Sequence, residues 1–232
     1  MPYRNMNLED FATYVGMDAR EVRRLADRGR LPAEKVAGQW RFNRARVTEW
    51  LQQTMQNFDP QWLETLERSL GAVGSETLIT DLIGLQGVEA HLRANTRASV
   101  LRELVKLAEH TGLLYDPQWL LGAIEQREAM CSTALPNGVA IPHPRQPNPN
   151  ASAEPFVCVA RLSRGIAFGA PDRELTRLFV LICCHEDRHH LSVLARLMRI
   201  LDEQTISNLL EVEESEHLLQ ALIDREQVLS AG

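Results

Sequence analysis

Three short apolar runs, separated by helical patterns, constrain the fold of the C-terminal part of the chain more than any other feature. The runs cover residues 139–141, 156–162 and 178–183, with the length and composition of buried strands. Helices are predicted around them: an amphipathic helix after Thr96 and further helices at 117–127, 191–201 and 214–223. A further strand is predicted at 88–92 and a short apolar element at 78–83. Strands and helices in this order indicate an α/β fold with a central mixed sheet flanked by helices.

His143 follows the first of these runs directly and lies between Pro142 and Pro144. Because proline fixes the backbone φ angle, we expect the ring to be held stiffly at a strand end and to be reachable by solvent. An imidazole presented in this way can take a phosphoryl group from one partner and pass it to another. His143 is therefore a candidate nucleophile, although an exposed histidine beside proline is also ordinary in loops.

The residues before His143 form a longer motif. It consists of Arg127-Glu128, Ser132-Thr133, Gly138, Ala140 and Pro142. A second motif lies 47 residues after His143, where His190 opens the helical pattern His-Leu-x-x-Leu-x-x-Leu. Together with the strand before His190, these motifs resemble the phosphotransferase-system enzyme IIA domains of the fructose, mannitol and nitrogen-regulatory type. The resemblance extends over about residues 76–227.

This resemblance implies a role for each candidate residue. His143 would be the phosphorylated residue, His190 its catalytic neighbour and Arg127 a stabiliser of the phosphoryl group. Ser132 and Thr133 are further candidate donors to the phosphoryl oxygens, since phosphoryl transfer depends mainly on positioning and charge neutralisation. The implied phosphate donor is an HPr-like phosphocarrier protein, and neither a metal nor another cofactor is needed.

One residue departs from the family pattern. Pro144 follows His143 where many relatives have glycine or another small residue, and a Pro/Asn-rich loop continues at 146–150. The acceptor stays intact, but we expect the change to affect which partner docks, whether an enzyme IIB protein or a regulatory protein.

The N-terminal fifty residues contain two short helical patterns joined at a glycine. Apolar residues at helical spacing define the first helix from Leu8 to Val15, and Gly16 ends it. Asp18 is the expected N-cap of the second helix, with Glu21 completing a capping box. Basic side chains line its exposed face: Arg20, Arg23, Arg24 and Arg28. Two such helices, the second basic, are typical of a helix-turn-helix.

A tight hairpin at 35–42, with Gly38 at its tip, and a helix ending in Trp50-Leu51 follow. Residues 5–53 thereby resemble the excisionase/MerR-like winged helix-turn-helix. The resemblance implies DNA contacts from the second helix and from the wing, made by Arg20, Arg23, Arg24, Lys35, Gln39 and Arg41. A module of this size buries a modest surface on DNA, so a homodimer on paired half-sites is expected. A solvated charged face and a protein-docking role are the alternatives.

Charge is unevenly distributed along the 232 residues. Residues 1–51 carry ten Lys/Arg and seven Asp/Glu, a charge of +3, whereas the remainder carries 15 and 24, a charge of −9. The basic N-terminal part, which we call the head, and the acidic remainder, the body, suggest that only the head binds nucleic acid. No run approaches the roughly 20 apolar residues of a membrane span, and the start lacks a signal-peptide core. We therefore expect a cytoplasmic protein without membrane insertion, and four unevenly spaced cysteines predict no disulfide framework.

Other interpretations stay open. The cluster of Cys183, Cys184, His185, His189 and His190 contains zinc-ligand types, but its spacing gives no ligand set. The enzyme IIA-like part would also suit a transcriptional regulator that only docks partners, or a sugar-transport subunit that passes phosphate to a membrane protein. The fused DNA-binding head favours a regulatory role, since a transport subunit gains nothing from it.

The sequence therefore predicts a DNA-binding domain at 1–53, a linker at 54–75 and an enzyme IIA domain at 76–228. The linker contains a short helix at about 61–70, which is either a plain connector or a dimerising helix. The predicted function is that of a phosphotransferase-system phosphocarrier of the nitrogen-regulatory type, phosphorylated on His143 and coupled to a DNA-binding head.

Overall fold

The computed structural model describes residues 5–71 and 78–231. These residues form two compact units, one made of 5–71 with Leu191–Arg199 and the other of 78–190 with 200–231. The domain boundaries predicted from the sequence, after residues 53 and 75, stay a prediction. Among the described residues, no helix combines the length and the apolar composition that crossing a membrane requires.

The N-terminal unit contains helices and a small antiparallel sheet. Its elements are β1 (Asn5–Met6), α1 (Leu8–Val15), α2 (Ala19–Asp27), β2 (Ala33–Val36), β3 (Gln39–Asn43), α3 (Arg44–Thr54), a 3-10 turn (Met55–Asn57) and α4 (Pro60–Leu70). Strand β3 is central and pairs with β1 and β2. The predicted order of helix pair, hairpin and third helix is confirmed.

Caps set the boundaries of the first two helices. Asn7 accepts a hydrogen bond from the Asp10 amide at 2.8 Å, and Gly16 ends α1 in the left-handed region with φ of +69°. Asp18 caps α2 by accepting from the Arg20 amide at 2.8 Å. The capping box predicted at Asp18 is incomplete, because the Glu21 carboxylate accepts from Arg24 instead.

Aromatic packing connects the elements of this unit. The ring of Phe11 in α1 stacks on Phe42 in β3, with ring centroids 4.1 Å apart and planes 11° apart. Trp50 of α3 and Trp62 of α4 both contact Phe58, at centroid distances of 5.7 and 3.8 Å. The predicted linker helix α4 therefore packs on the helix-turn-helix module.

A largely buried ion cluster also involves α4. The two carboxylate oxygens of Glu67 accept from Arg196 Nη1 at 2.7 Å and from Arg199 Nη1 at 2.6 Å. The Glu67 side chain is 13% exposed. Two guanidinium groups around one carboxylate offset the cost of removing these charges from water. The cluster ties α4 to the segment Leu191–Arg199 within this unit.

The second unit is built on a mixed sheet. Its elements are β4 (Val88–Glu89), α5 (Arg97–His110), α6 (Pro117–Met130), β5 (Val139–Ala140), β6 (Phe156–Ile166), β7 (Thr176–Cys183), α7 (Asp187–Ile200), α8 (Glu203–Glu211), α9 (Ser215–Ser230) and 3-10 turns at Thr80–Leu82, Leu85–Gly87 and Pro136–Gly138. Of α7, the segment Leu191–Arg199 belongs to the first unit. The strand order is β4-β6-β7-β5. Strands β6 and β7 are antiparallel, whereas β4 pairs with β6 and β5 pairs with β7 in parallel. The α/β class with a mixed sheet is confirmed.

Buried side chains of α5 and of the central strands form the core of this unit. Leu104 and Ala108 are fully buried together with Phe156 and Phe179. Phe168 meets Phe179 edge-on, at a centroid distance of 5.1 Å. The sequence overestimated the strand at 88–92, which is two residues long, and missed α8.

The start of the second unit is held by a buried carboxylate from its last helix. Glu226 of α9 is 1% exposed. Its oxygens accept from the Ile79 amide at 2.8 Å, the Thr80 amide at 2.9 Å and the Thr80 hydroxyl at 2.7 Å. Three donors satisfy the charge of the carboxylate. The apolar element predicted at 78–83 contains a 3-10 turn at Thr80–Leu82, and Glu226 binds the backbone at its start.

Candidate functional site

The backbone around His143 is fixed on both sides. The Ile141 amide donates to the Thr133 carbonyl at 3.1 Å, and the Ile182 amide of β7 donates to the Pro142 carbonyl at 3.1 Å. The segment that follows β5 is thus bonded to the loop after α6 and to the neighbouring strand. The predicted rigid presentation of His143 has a hydrogen-bonding basis as well as the two prolines.

The ring of His143 has a defined tautomer. Its Nδ1 lies 2.7 Å from the carbonyl oxygen of Ile141. Because a carbonyl only accepts, Nδ1 carries the proton and Nε2 of the neutral ring holds the basic lone pair. Within the described residues, Nε2 has no hydrogen-bond partner although it is buried. The free lone pair is therefore on the nitrogen that points away from the backbone anchor.

The solvent exposure predicted for His143 is wrong. The residue is 2% exposed. The prediction relied on the position of His143 at a strand end between two prolines, and it could not anticipate that the ring packs against a second imidazole. A neutral imidazole tolerates this burial far better than a charged one.

That second imidazole belongs to His190. Its ring centroid lies 4.8 Å from that of His143, with the planes 48° apart. His190 is 1% exposed, and its Nε2 also lacks a hydrogen-bond partner among the described residues. Helix α7 begins at Asp187, so His190 lies at the end of the first turn rather than at the opening predicted from the sequence.

Arg127 brings a positive charge to the same site. It lies in the last turn of α6, is 5% exposed, and its Nη1 donates to the Cys131 carbonyl at 2.8 Å. Burial lowers the pKa of His143 well below its ordinary value, with His190 and Arg127 adding to the effect and the bond to Ile141 opposing it. Burial, followed by the charge of Arg127, lowers the pKa of His190 to about 4. Both imidazoles are therefore neutral at pH 7.

Ser132 and Thr133 lie in the loop that joins this arginine to β5, where their hydroxyls have protein acceptors. Ser132 Oγ donates to the Phe168 carbonyl at 2.8 Å. Thr133 Oγ1 and its amide both donate to the carboxylate of Glu128, at 2.7 and 3.0 Å. These bonds shape the loop, so direct contact between the two hydroxyls and a phosphoryl group stays a prediction. Glu128 matched the motif in the sequence, but its role as the anchor of Thr133 required the structure.

The cysteine and histidine cluster has other partners. His185 Nε2 lies 3.0 Å from Ser152 Oγ, and burial raises the pKa of Cys183 to about 11. In the part of the chain that the structure describes, no group of three His, Cys, Asp or Glu could hold a metal ion.

The candidate nucleic-acid surface lies on the first unit. A groove of about 530 Å³ runs between α2 and the β2–β3 hairpin, and its lining includes Arg23, Lys35, Gln39 and Arg41. The Lys35 ammonium lies 5.3 Å from the Trp40 ring centroid, and Arg41 donates to Gln39 Oε1 at 2.7 Å. Four of the six predicted DNA contacts thus share one concave surface.

The other two predicted contacts are exposed on α2 outside the lining of this groove. Arg24 pairs with Glu21, which reduces its positive potential, whereas Arg20 lies near the start of the helix. Contact of any of the six residues with DNA stays a prediction.

Comparison with known proteins finds two families along the chain. Residues 82–228 match the family described as "Phosphoenolpyruvate-dependent sugar phosphotransferase system, EIIA 2", and residues 6–55 match the family "Helix-turn-helix domain". A nitrogen regulatory protein from Bradyrhizobium diazoefficiens is 32% identical over 148 residues, which span 62% of this chain and 94% of that protein.

Solved structures share the fold. The nitrogen regulatory protein IIA-Ntr from Neisseria meningitidis has a TM-score of 0.54 and 22% identity, covering 63% of this chain and 99% of that one. The mannitol enzyme IIA of Escherichia coli, in complex with phosphorylated enzyme IIB, has a TM-score of 0.52 and 22% identity, covering 61% and 97%. With its buried histidine pair on the matched region, the chain belongs to the phosphotransferase-system EIIA 2 family and carries a helix-turn-helix domain before it.

Proposed function

We propose that this protein is a phosphocarrier of the nitrogen-regulatory type, in which Nε2 of His143 accepts a phosphoryl group from an HPr-like phosphocarrier protein. One observation carries the proposal. The Nδ1 proton of His143 is committed to the Ile141 carbonyl, while Nε2 is basic, buried and unpartnered within the described residues. Buried polar atoms without partners are rare and call for an explanation. A phosphoryl group bound at Nε2 would explain why this atom has no protein partner among the described residues.

The transfer itself needs no metal. The Nε2 lone pair of His143 attacks phosphorus, the bond from phosphorus to the donor nitrogen breaks, and that nitrogen keeps the electron pair. The product ring carries positive charge, which the Ile141 carbonyl stabilises through the bond from Nδ1–H. Arg127 neutralises the phosphoryl oxygens, and His190 donates a ring N–H to one of them. Ser132 and Thr133 complete the proposed contacts.

Access to the acceptor is part of the mechanism. A donor protein does not reach a ring that is 2% exposed, so transfer takes place from a state in which His143 is uncovered. The apparent rate of phosphorylation is then the intrinsic rate multiplied by the population of that state.

The proposed role is regulatory. Similarity to a nitrogen regulatory protein over most of that protein's length and the helix-turn-helix domain at residues 6–55 support this assignment over sugar transport. Phosphorylation adds about two negative charges at His143. We infer that this changes the docking of partner proteins or the DNA binding of a homodimeric head. An enzyme IIB protein, as in the mannitol complex, is an alternative recipient of the phosphate, and a body that only docks partners is the other alternative.

The test is the intact mass of the protein after incubation with phosphoenolpyruvate, enzyme I and HPr. The parent chain should gain one phosphoryl group and the His143→Ala variant none. His217→Ala is the matched control, since His217 is exposed on α9 and should leave the phosphoryl gain unchanged. A parent chain that gains no mass from an active relay, or a His143→Ala variant that still gains it, would overturn the proposal.

A further inference from the structure

Arg97, a residue that the motifs do not include, is bonded to a backbone carbonyl that also accepts a hydrogen bond from the loop of the candidate site. It is the first residue of α5, and its guanidinium Nη2 donates to the carbonyl oxygen of Phe168. The same guanidinium lies 5.3 Å from the centroid of the Phe168 ring. Two interactions with one residue fix the position of the charged group on the surface of the second unit.

The Phe168 carbonyl is shared with the site loop. It also accepts the hydroxyl of Ser132, at 2.8 Å. A carbonyl oxygen has two lone pairs and can accept both donors. Ser132 Oγ in turn accepts from the Ala134 amide at 3.2 Å, which closes the turn after α6. Arg97 and Ser132 therefore act on the same acceptor from two different parts of the chain.

Gly169 leaves the space in which these groups meet. Its φ is +105°, a conformation that residues with a side chain rarely adopt. A Cβ at this position would lie 2.9 Å from Arg97 Nη2 and 3.1 Å from Ser132 Oγ. The close approach of the arginine and the serine to the 168–169 backbone thus depends on glycine.

Hydrogen bonds continue from this junction to His143. Ser132 is followed by Thr133, whose carbonyl accepts the Ile141 amide at 3.1 Å. The Ile141 carbonyl then accepts Nδ1–H of His143 at 2.7 Å. The anchor that selects the tautomer of the acceptor ring is thereby held by the loop that Arg97 helps to fix.

We propose that Arg97 is a positioning residue for phosphoryl transfer at His143. It holds the 132–134 segment through the Phe168 carbonyl, and this segment keeps the Ile141 carbonyl where it binds Nδ1–H and leaves Nε2 as the acceptor. Arg97 acts through Ser132 and the backbone and makes no contact with the phosphoryl group. This inference rests on the proposed phosphorylation of His143.

The first experiment compares Arg97→Met and Arg97→Lys with the parent in single-turnover phosphorylation by phospho-HPr at varied donor concentration. Arg97→Met should lower the maximal rate about tenfold, because small displacements of a reacting group are costly, with little change in the donor concentration for half-maximal rate. Arg97→Lys should recover part of the rate. Arg102→Met, at an exposed position on the same helix, is the matched control and should behave as the parent.

A double-mutant cycle with Ser132→Ala tests the route. If Arg97 acts through Ser132, the rate loss in the double variant should be clearly smaller than the product of the two single losses. Independent multiplication of the losses would overturn the proposed route, as would a change confined to the half-maximal donor concentration. The latter would mean that Arg97 contacts the donor protein.

The ring tautomer gives a readout that does not depend on phosphorylation. Nitrogen-15 chemical shifts of the His143 ring should show a protonated Nδ1 in the parent and a mixture of tautomers in Arg97→Met. An unchanged tautomer together with an unchanged rate refutes the role of Arg97. If the parent accepts no phosphate but the tautomer responds to Arg97, the phosphocarrier function fails while the positioning network stands. Thermal melts of each variant identify any that fail to fold. If Arg97→Met does not fold, the rate and the tautomer of Arg97→Lys are compared with those of the parent instead.

Discussion

The imidazole rings of His143 and His190 lie 4.8 Å apart, and each has a buried Nε2 without a hydrogen-bond partner among the described residues. Two cationic rings would repel each other at this distance, and Arg127 adds a third charge to the site. Together with burial, which is the main cause of the lowered pKa values of both rings, these charges favour the neutral form of each imidazole. Neutrality is also what a nucleophilic imidazole needs, so burial favours the form of His143 that the proposed phosphoryl transfer requires.

The first prediction concerns pH. Because the pKa of His190 is lowered to about 4 in the folded protein, the unfolded chain binds a proton at this residue first as the pH falls through 6.5. The free energy of unfolding should then decrease between about pH 6.5 and 4, with a contribution from His190 of about 3 kcal/mol, and should not decrease further from this group below pH 4. Burial lowers the pKa of His143 too, so it acts in the same direction.

Amide hydrogen exchange of β6 and β7, corrected for intrinsic rates, measures this opening free energy at pH 7 and pH 4.5. In His190→Gln the difference between the two pH values should shrink. An identical difference in parent and variant would mean that His190 is charged in the folded protein.

The second prediction concerns Arg127. Replacing it by methionine removes a positive charge near both rings, so the pKa values of His143 and His190 should rise in NMR titrations. The rate of phosphorylation should fall about a hundredfold, because a charge-assisted donor to the transferred group is lost. Arg164→Met, at an exposed position on β6, should change neither quantity. A lowered pKa in Arg127→Met would contradict the proposed electrostatics.

The third prediction concerns the ion cluster on α4. Glu67→Gln leaves Arg196 and Arg199 without their shared carboxylate, and the N-terminal unit should lose about 3 kcal/mol of unfolding free energy. Glu64→Gln is the control on the same helix. Its carboxylate is 35% exposed and lies 3.9 Å from Arg199, so the loss should stay below about 1 kcal/mol.

Urea unfolding followed by tryptophan fluorescence reports mainly on this unit, since Trp40, Trp50 and Trp62 lie in it and the fourth tryptophan, Trp119, lies in the other unit. Equal losses of unfolding free energy in the two variants would show that the buried Glu67 carboxylate stabilises the unit no more than the partly exposed Glu64 does.

The fourth prediction concerns the groove between α2 and the hairpin. Arg23→Ala and Lys35→Ala should each weaken binding of a 30-base-pair duplex and make its dependence on salt less steep by about one ion per residue. Arg68→Ala, exposed on α4 outside the groove, should leave both quantities unchanged. Fluorescence anisotropy at several salt concentrations measures them. Binding that is insensitive to both groove substitutions would remove the groove from the DNA interface.

The fifth prediction concerns thiol reactivity. Cys131 is exposed, whereas Cys158, Cys183 and Cys184 are buried with raised thiol pKa values. The native protein should therefore react quickly with one equivalent of a disulfide reagent, and Cys131→Ala should show no fast phase. A second fast equivalent would show that a strand cysteine is accessible in the folded state.

Much of the fold was readable from the sequence because hydrophobic periodicity is a local signal. The runs that became β5, β6 and β7 are continuous and apolar, and helix α5 carries a clear apolar face. Helix α8 is only nine residues long and depends on Asp202 as its cap, which is a tertiary as well as a local feature because Asp202 also pairs with Arg225. Local propensity alone does not specify such an element.

The candidate site was only partly predictable for a different reason. The motif named His143, His190 and Arg127, and the structure brings their charges and rings together. It could not show the burial of His143, because burial depends on what packs against a loop. Nor could it identify Arg97, whose partner Phe168 is distant in sequence and offers a backbone carbonyl that carries no residue signature. Side chain to backbone contacts of this kind are invisible to motif reading.

The carboxylate of Glu226 has a mechanical consequence. It binds the Ile79 and Thr80 amides and thereby fixes the first described residues of the second unit to its last helix. Tension applied to the chain before residue 78 would reach this contact before it reaches β4, the first strand of the sheet along the chain. The length and composition of the preceding segment can therefore change without pulling the strands out of register. The Glu226 contact is therefore a suitable place at which an N-terminal module can be attached to the second unit.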